Sequence, residues 1–409
     1  MEWKTVKIGE IIEEISMGPF GSDVKKECYV STGIPILNGS NLQGFKLCED
    51  SFGYLTKEKA DLLGKSNAHR GDLIVTHRGT LGQIVYIPSN SKYERYVISQ
   101  SQFRFRLNEK MAIPEYITYY FHTREGQHKL LSNASQVGVP ALARATSTFK
   151  QLEISLPPLE TQRRIVAILS SLDDKIENNN RINRNLEAQA QALFKSWFVD
   201  FEPFGGVLPE DWKEVSLNEM TSKFGTGLNP RKNFKLGEGE NYYVTIKNMG
   251  NNRVYLDDRC DKVTDEAIEK INKRSKLQAG DLLFSGIGTI GRVALVTETP
   301  TNWNTSESVF NLHPANNISS EFLYVLLLSD VFQNYVKVHA QGGVQQGIRI
   351  ASLKDYKMYI PEDSKIMKQF DSLIIPIITR IKNIDKENDR LAALRDTLLP
   401  KLMKGEIAL

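Results

Sequence analysis

The chain has 409 residues, more than one hydrophobic core usually organises, so we expect two domains. Its hydrophobic fraction of 41% and charged fraction of 25% are those of globular proteins and exclude a wholly disordered chain. The net charge of +3 is mildly basic and permits a nucleic-acid partner without arguing for one.

The three cysteines, Cys28, Cys48 and Cys260, are far apart and form no CxxC pair. This spacing argues against a disulfide framework and a cysteine zinc site, and it fits a reducing cytoplasm. The N-terminus is polar, and charges interrupt every apolar stretch before the roughly 20 residues that a membrane span needs. We therefore predict a cytoplasmic protein without a signal peptide or membrane span.

The first half of the chain predicts a mixed α and β fold. Short apolar runs at Asp72–Val75, Gln83–Ile87 and Phe103–Arg106 are typical of strands, and Pro114–Phe121 is typical of a short helix. A further strand is expected at Leu152–Leu156, where the following proline stops sheet pairing and tolerates a first helical turn. The pattern does not give the order of strands in a sheet.

A long helix is predicted next, with a seam of residues at alternating spacings of four and three, which is a heptad pattern. The seam comprises Ile165, Leu169, Leu172, Ile176, Asn179, Asn183, Leu186, Ala190, Leu193 and Trp197. Asn179 and Asn183 would fix the register of this helix, at a cost in stability, because each demands a polar partner.

The second half of the chain repeats the first. Trp3-Lys4 recurs as Trp212-Lys213, 209 residues later. At the same distance, RGDLIVTHRGTLGQIVYIP from Arg70 recurs as AGDLLFSGIGTIGRVALVT from Ala279. Two motifs at one spacing predict two domains of the same fold.

The distance between matching segments then shortens slowly. Ser99-Gln100-Ser101 matches Ser306-Glu307-Ser308 at 207 residues, and Pro157 matches Pro361 at 204, which predicts small loop deletions in the second copy. That copy also ends with a strand-like run, Tyr356–Ile360, a proline and a long helical pattern.

The second long helix carries its own seam, although Pro376 should bend or interrupt it. The seam comprises Ile366, Phe370, Leu373, Ile377, Arg380, Ile384, Glu387, Leu391, Leu394 and Leu398. The simplest arrangement packs the two helices on each other, antiparallel if an approximate twofold axis relates the repeats. The alternative is that both are ordinary parts of a helical bundle core, and periodicity alone leaves both open.

The helix length is compatible with a spacer role. About 36 residues at roughly 1.5 Å each span about 55 Å, which exceeds one turn of B-DNA at about 34 Å. Domains held that far apart could read separate half-sites.

Two segments resemble a known family. The stretch LPPLETQRRIVAILSSLDDKIENNNRINRNLEAQAQALFKSWFVDFEPF, from Leu156, resembles the central conserved region of type I restriction-modification specificity subunits, and LRDTLLPKLMKGEI, from Leu394, resembles their C-terminal signature. The repeat resembles their tandem target-recognition domains. The second helix departs from the pattern because it opens with PEDSKIMKQF instead of a PPLEEQ-like start.

The resemblance implies an α+β fold in which two α/β target-recognition domains are joined by an antiparallel coiled coil. We expect the first recognition domain at 1–156, a central conserved helical region at 157–203, the second recognition domain at 204–360 and a C-terminal conserved helix at 361–409. The residues expected to form the spacer and subunit interface are Leu169, Leu172, Ile176, Asn179, Asn183, Leu186, Leu193, Trp197, Phe370, Leu373, Ile384, Leu391 and Leu398.

The resemblance also implies the partners: double-stranded DNA, two modification (methyltransferase) subunits, and restriction (translocase and nuclease) subunits. No cofactor is expected in this chain. S-adenosylmethionine would belong to the modification subunit, and ATP and magnesium to the restriction subunit.

Enzyme motifs are weak or missing in the sequence. Phe284-Ser285-Gly286-Ile287-Gly288 matches the FxGxG loop of methyltransferases, but its repeat partner lacks the first glycine, and no Asn/Asp-Pro-Pro-Tyr/Phe tetrapeptide follows. No GxxxxGK[ST] phosphate loop occurs, and the six histidines show no metal-ligand spacing. We therefore expect a non-catalytic binding subunit.

Candidate DNA contacts are glycine turns, whose N–H groups can hold phosphates, side chains beside the turns and in amide-rich loops, which could read bases, and lysines and arginines such as Arg231, Lys232 and Lys247, which could neutralise phosphates. They are His77, Arg78, Gly79, Thr80, Gln100, Gln102 and Arg144 in the first copy, and Arg231, Lys232, Lys247, Ser285, Thr289, Gln345, Gln346 and Arg349 in the second. The alternative is that the turns are tight hairpins packed on their own sheet and that the cations are merely solvated.

Two rival functions remain open at this stage. A two-domain scaffold could use its helices to organise partners while its globular domains bind protein or RNA, although no clustered aromatic platform for RNA bases is visible. The chain could instead be a DNA methyltransferase itself, which binding of S-adenosylmethionine to the isolated chain would support.

Overall fold

The computed structural model describes residues 3–135, 138–343, 346–407 and 409. The chain folds as two units: unit 1 comprises residues 1–178 and 388–409, and unit 2 comprises residues 179–387. No helix within the described ranges is both long and apolar enough to span a membrane.

The elements up to the first long helix are β1 (Lys4–Lys7), α1 (Ile8–Ile11), β2 (Ile12–Met17), β3 (Tyr29–Val30), β4 (Ile34–Ile36), β5 (Gly53–Leu55), α2 (Lys57–Leu62), β6 (Asn67–His69), β7 (Leu73–Thr76), β8 (Ile84–Tyr86), β9 (Arg95–Val97), β10 (Gln102–Leu107), α3 (Pro114–His122), α4 (Arg124–Leu131), β11 (Ala134–Ser135), β12 (Ala141–Leu142), α5 (Ala145–Gln151), β13 (Glu153–Leu156) and α6 (Leu159–Phe198).

The remaining elements are β14 (Trp212–Ser216), β15 (Thr221–Thr226), β16 (Asn241–Val244), β17 (Met249–Gly250), β18 (Arg253–Val254), β19 (Asp261–Val263), α7 (Asp265–Ser275), β20 (Leu282–Ser285), β21 (Val293–Leu295), β22 (Trp303–Thr305), β23 (Val309–Pro314), α8 (Ser320–Leu328), α9 (Asp330–His339), α10 (Ile350–Lys354), β24 (Lys357–Pro361) and α11 (Ser364–Met403).

Unit 1 is built on an antiparallel four-stranded sheet in the order β2-β10-β7-β8. Alternation along β10 places Phe103 and Phe105 against Phe149 of α5, while Arg104 between them pairs with buried Asp72 at 3.3 Å. A second sheet, β3-β5-β4-β9-β6, contains one parallel pair, β4 with β9. The β1–β13 pair joins the start of the chain to the strand that precedes α6.

Unit 2 repeats this plan with a four-stranded sheet, β15-β23-β20-β21, and a closing pair, β14–β24. Its second sheet has the order β19-β16-β22, and β16 pairs with β22 in parallel. The two units therefore share one fold and differ most in this second sheet, which confirms the predicted pair of repeated α/β domains.

The repeated Gly-Asp-Leu motif is part of the scaffold. Asp72 accepts a hydrogen bond from the His69 N–H at 2.9 Å, and Asp281 accepts one from the Gln278 N–H at 2.9 Å. Each carboxylate also bonds a side chain of the opposite strand, Arg106 at 2.8 Å and His313 at 2.6 Å respectively. Both aspartates thus hold the turn before the central strand.

The long helices run antiparallel within each unit. In unit 1 the start of α6 packs with the end of α11, and Asp173 pairs with Arg395 at 2.8 Å. In unit 2 the amide of Asn179 donates to Glu387 and that of Asn183 to Asp385, each at 2.9 Å. The two asparagines therefore have the polar partners that the seam predicted.

The predicted phase of the second seam is wrong at Arg380, which is exposed, and at two leucines. Leu373 and Leu394 are 42% and 47% exposed, so neither lies in the seam. The buried positions of α11 are Met367, Phe370, Ile374, Ile378, Ile381, Ile384, Leu399, Leu402 and Met403. Apolar residues are consecutive around Pro376, so more than one phase fits the pattern. The helix is also not interrupted at Pro376, because α11 is continuous.

The different openings of the two helices have a packing explanation. The carboxamide of Gln162 is buried, accepts from the Ile113 N–H at 2.9 Å and donates to the Met111 and Pro157 carbonyls at 3.0 and 2.9 Å. Counted from Pro361, the counterpart of Pro157, the matching position in α11 is Ile366, which packs partly buried against the apolar core of unit 2. A polar clamp in one unit is thus replaced by an apolar contact in the other.

Each unit also ties a loop of its globular part to its own helix segments. Lys46 pairs with Asp174 of α6 at 3.3 Å and with Glu177. In unit 2 the Asn252 carboxamide, in the turn between β17 and β18, donates to Glu187 of α6 at 3.0 Å. The Lys382 ammonium of α11 donates to the Asn252 carbonyl at 3.3 Å. These bonds orient the globular part on its helices.

Candidate nucleic-acid interface

Four segments of unit 1 meet at one end of its four-stranded sheet, and we call them the unit 1 loop cluster: residues 18–23, 77–82, 99–102 and 138–144. Backbone hydrogen bonds join them. The His77 N–H donates to Ser101 at 2.9 Å, the Leu142 N–H to His77 at 2.8 Å, and the Gly79 N–H to Pro140 at 2.8 Å. The cluster is therefore one bonded assembly of loops.

Unit 2 has the same assembly at equivalent positions. The Gly286 N–H donates to Ser308 at 2.9 Å, the Ile348 N–H to Gly286 at 2.9 Å, and the Gly288 N–H to Gln346 at 2.7 Å. We call residues 227–234, 286–291, 305–308 and 346–349 the unit 2 loop cluster. A shared backbone arrangement in both units is expected of two domains that perform the same task.

The glycine turns are built into these clusters. Gly79 and Gly82 have φ angles of 90° and 88°, and Gly288 and Gly291 have 83° and 92°, values that favour glycine. The Gln127 carboxamide donates to the Gly82 carbonyl at 2.8 Å, and Gln333 donates to Gly291 at 3.0 Å. One end of each turn is thus clamped to a helix, while Gly79, Thr80, Gly288 and Thr289 are exposed.

The predicted contact residues of unit 1 differ in how exposed their side chains are. Arg78, Thr80, Gln100 and Arg144 are exposed, in addition to Gly79. Gln102 is 1% exposed, and its side-chain oxygen accepts from the Ser99 N–H at 2.9 Å. As a base contact Gln102 is therefore a wrong prediction, because its amide supports the turn before β10.

His77 is half-buried and supports its neighbour. Its Nε2 lies 3.1 Å from the Gln100 carbonyl, so Nε2 carries the proton and donates. Burial lowers the pKa of the His77 imidazole, and the Gln100 hydrogen bond opposes that effect. A neutral ring thereby positions the loop that presents Gln100.

Ser285 is also placed differently from the prediction. It is fully buried, its hydroxyl donates to the Thr289 carbonyl at 2.7 Å, and it accepts from the Arg292 N–H at 2.8 Å. Its counterpart in unit 1 is Thr76, another buried hydroxyl. Ser285 therefore shapes the turn and faces no groove.

Two arginines occupy the same place in both units. Arg144 precedes α5 and Arg349 precedes α10, and both are exposed. Arg144 has a φ of 48°, so its backbone turns sharply at the edge of the cluster. A cation shared by two units that differ elsewhere suits a phosphate, which carries no sequence information.

The other predicted cations of unit 2, Arg231, Lys232 and Lys247, are exposed. Arg231 and Lys232 lie in the unit 2 loop cluster, whereas Lys247 pairs with Asp261 at 3.1 Å and is partly neutralised. Gln346 is exposed, and its carbonyl holds Gly288. Gln345 lies outside the described residues.

The FxGxG segment is occupied by the protein itself. Its Gly286 and Gly288 N–H groups already bond carbonyls of the cluster, and a Cβ at position 286 would lie 2.2 Å from the Phe310 ring. These N–H groups are not available to a cofactor. Among the described residues, no group of three histidine, cysteine, aspartate or glutamate side chains could hold a metal ion.

Sequence reasoning missed Phe20 and its surroundings. Gly18 and Gly227 lie 209 residues apart. A Cβ on Gly18 would lie 1.9 Å from the Ser99 carbonyl oxygen, and one on Gly227 would lie 1.8 Å from that of Thr305. Both glycines therefore hold a loop against the turn that follows. The repeated glycine was the available signal, but its neighbours differ in the two copies.

The chain was compared with known proteins. A family model described as type I restriction modification DNA specificity domain matches residues 1–188 and 209–386. The type I restriction enzyme HindI specificity subunit of Haemophilus influenzae is 24% identical over 481 residues, covering 99% of this chain and 100% of that protein. The MjaIX specificity subunit of Methanocaldococcus jannaschii is 25% identical over 423 residues, covering 99% and 94%.

A solved structure has the same fold. The crystal structure of the type I restriction-modification system S subunit from M. genitalium matches with a TM-score of 0.58 at 18% identity and covers 98% of this chain and 96% of that one. The family model matches both copies of the internal repeat. The chain therefore belongs to the type I restriction-modification DNA specificity family.

Proposed function

We propose that this chain is the DNA sequence-specificity subunit of a type I restriction-modification complex. Each unit reads one half of a bipartite, asymmetric site in double-stranded DNA. The observation that carries the proposal is the loop cluster, which recurs with the same backbone hydrogen bonds in both units while its side chains differ. Shared backbone geometry suits a common docking mode, and different side chains suit different half-sites.

The chain itself is proposed to be non-catalytic. The two long helices set the spacing of the half-sites and dock two modification subunits, which carry S-adenosylmethionine and methylate adenine on opposite strands. Restriction subunits with ATP and magnesium complete the complex in the cytoplasm. The domain boundaries at 156, 203 and 360 belong to this proposal.

Roles follow from the placement of the side chains. Arg78, Gln100 and Thr289 are candidates for base contacts, since they are exposed in the loop clusters. Arg144, Arg349, Arg231 and Lys232 are candidates for phosphate contacts. A scaffold that binds protein or RNA is not favoured, because the family relationship covers both units.

The test is methylome sequencing of a host that expresses this chain with its modification subunit. We expect methyladenine at one split, asymmetric motif, and we expect that motif to vanish when the chain is omitted. Unchanged methylation in a host where the complex demonstrably assembles would contradict the proposal and favour the scaffold.

A further inference from the structure

A groove of about 780 Å³ runs along the unit 1 loop cluster, and Phe20, Leu62, Arg78 and Gln100 are among the residues that line it. The Phe20 and Leu62 side chains are 82% and 81% exposed. Neither the Arg78 guanidinium nor the Gln100 carboxamide bonds a described residue. Single exposed apolar side chains are ordinary, but two in one groove beside free polar groups indicate a binding surface.

The Phe20 ring is presented by a fixed turn. The Phe20 N–H donates to the Asp23 carboxylate at 3.1 Å, and the Asp23 N–H donates back to the Phe20 carbonyl at 2.9 Å. The Gly18 N–H donates to the Gln102 carbonyl at 2.8 Å and ties the turn to the loop that carries Gln100. A turn whose backbone is already fixed loses little backbone entropy on binding.

Unit 2 has the same backbone arrangement, but its side chains at these positions are different. Position 229, which matches position 20, is an asparagine whose carboxamide donates to Glu307 at 2.6 Å. Glu307 in turn matches Gln100. Unit 1 thus has an exposed phenyl ring beside an amide where unit 2 has an amide bonded to a carboxylate. Such a difference is expected of two surfaces that read different bases.

We propose that Phe20 is a specificity-determining residue that contacts the 5-methyl group of a thymine in the major groove, beside bases contacted by Arg78 and Gln100. The inference rests on the proposed function. Base edges in the major groove present polar donors and acceptors, and the thymine methyl is their apolar group. Arginine suits guanine and glutamine suits adenine, so the three side chains form one reading surface.

The test uses the chain assembled with its modification subunits and duplexes that carry the site found by methylome sequencing. Each thymine is replaced in turn by deoxyuridine, which lacks only the methyl group. For the unaltered complex, one replacement in one half-site should weaken binding about fourfold, the equivalent of about 0.8 kcal/mol for one buried methyl group. With Phe20→Ala that position should no longer distinguish thymine from deoxyuridine.

Phe20→Leu keeps an apolar side chain and should retain part of the discrimination. Val207→Ala, which shortens an exposed side chain outside the groove, should retain all of it. As a second readout, Phe20→p-benzoylphenylalanine should photo-cross-link to the same thymine.

The inference is overturned if no thymine of either half-site shows a methyl effect, or if Phe20→Ala discriminates as the unaltered complex does. In either case a complex that still binds its split site leaves the proposed function standing. A complex that binds no split site at all contradicts the proposed function itself.

Discussion

At the scale of single residues, His122 shows how burial sets a protonation state in unit 1. Its Nε2 donates to the Ile84 carbonyl at 2.8 Å, and its ring lies 4.4 Å from that of Phe45. Burial lowers the pKa of the imidazole, the Ile84 hydrogen bond raises it, and Arg395 lowers it further. The folded protein therefore holds His122 neutral at a pH where the unfolded chain begins to protonate it.

This difference predicts a pH-dependent stability. A histidine whose folded pKa is depressed favours folding above its unfolded pKa of 6.5, and that advantage is lost as the pH falls towards the folded pKa. His122→Gln keeps a donor for Ile84 but does not titrate. Between pH 7.5 and 5.5 the variant should lose less unfolding free energy than the unaltered protein, by on the order of 1 kcal/mol in urea titrations.

His69 and His77 remain in both proteins, and burial lowers their pKa values too. The comparison therefore isolates His122. Equal losses in the two proteins would show that His122 titrates alike in the folded and unfolded states.

At the scale of elements, Asn179 and Asn183 form a polar layer in the helix seam, where each donates a hydrogen bond to a carboxylate of α11. Asn183 is 8% exposed and bonded to Asp385. Asn183→Ala removes this donor from a half-buried carboxylate, so we expect a loss of about 1–3 kcal/mol in unfolding free energy, measured in urea.

Asn185→Ala is the matched control, because Asn185 is an exposed residue of the same helix. Both substitutions change helix propensity equally, so their difference reports the buried environment of Asn183, which comprises its packing and its bond to Asp385. Asn183→Ala that is as stable as Asn185→Ala would mean that this environment contributes nothing.

Local pattern predicted most elements closely. The strand expected at Asp72–Val75 is β7, and the helix expected at Pro114–Phe121 is α3. Strand order was not predictable, because the partners of β10 are distant segments that no local period identifies. The seam of α11 was misplaced at Leu373 because its neighbours are apolar all round the helix.

The candidate site was predictable in its backbone more than in its side chains. The repeated glycines located both turns, since a positive φ restricts the residue type. Which side chains of the site are exposed was not predictable from the sequence. Gln102 and Ser285 look like DNA contacts in sequence but are buried by strand pairing, whereas Phe20 looks like a core residue and is exposed.

At the scale of the whole molecule, the proposed ruler role of α6 and α11 makes a quantitative prediction. One heptad inserted into each helix, after Asn178 and after Glu387, adds about 10 Å at roughly 1.5 Å per residue. At about 3.4 Å per base pair, the unread spacer of the DNA site should lengthen by about three base pairs, with both half-sites unchanged. Methylome sequencing reads out the new motif.

A heptad inserted into α6 alone is the control, since it misaligns the antiparallel pair and should abolish methylation. An altered half-site combined with the original spacer in the double insertion would refute the ruler role.

The contact between Gly286 and Phe310 limits how such a protein can acquire a new target. Unit 1 has a histidine at the matching position, where the rings of His77 and Phe103 are 6.5 Å apart. In unit 2 the Phe310 ring fills that space, so a histidine introduced at position 286 would collide with it. A graft of the unit 1 loop into unit 2 therefore has to carry the strand residue at position 310 together with the loop residue at position 286.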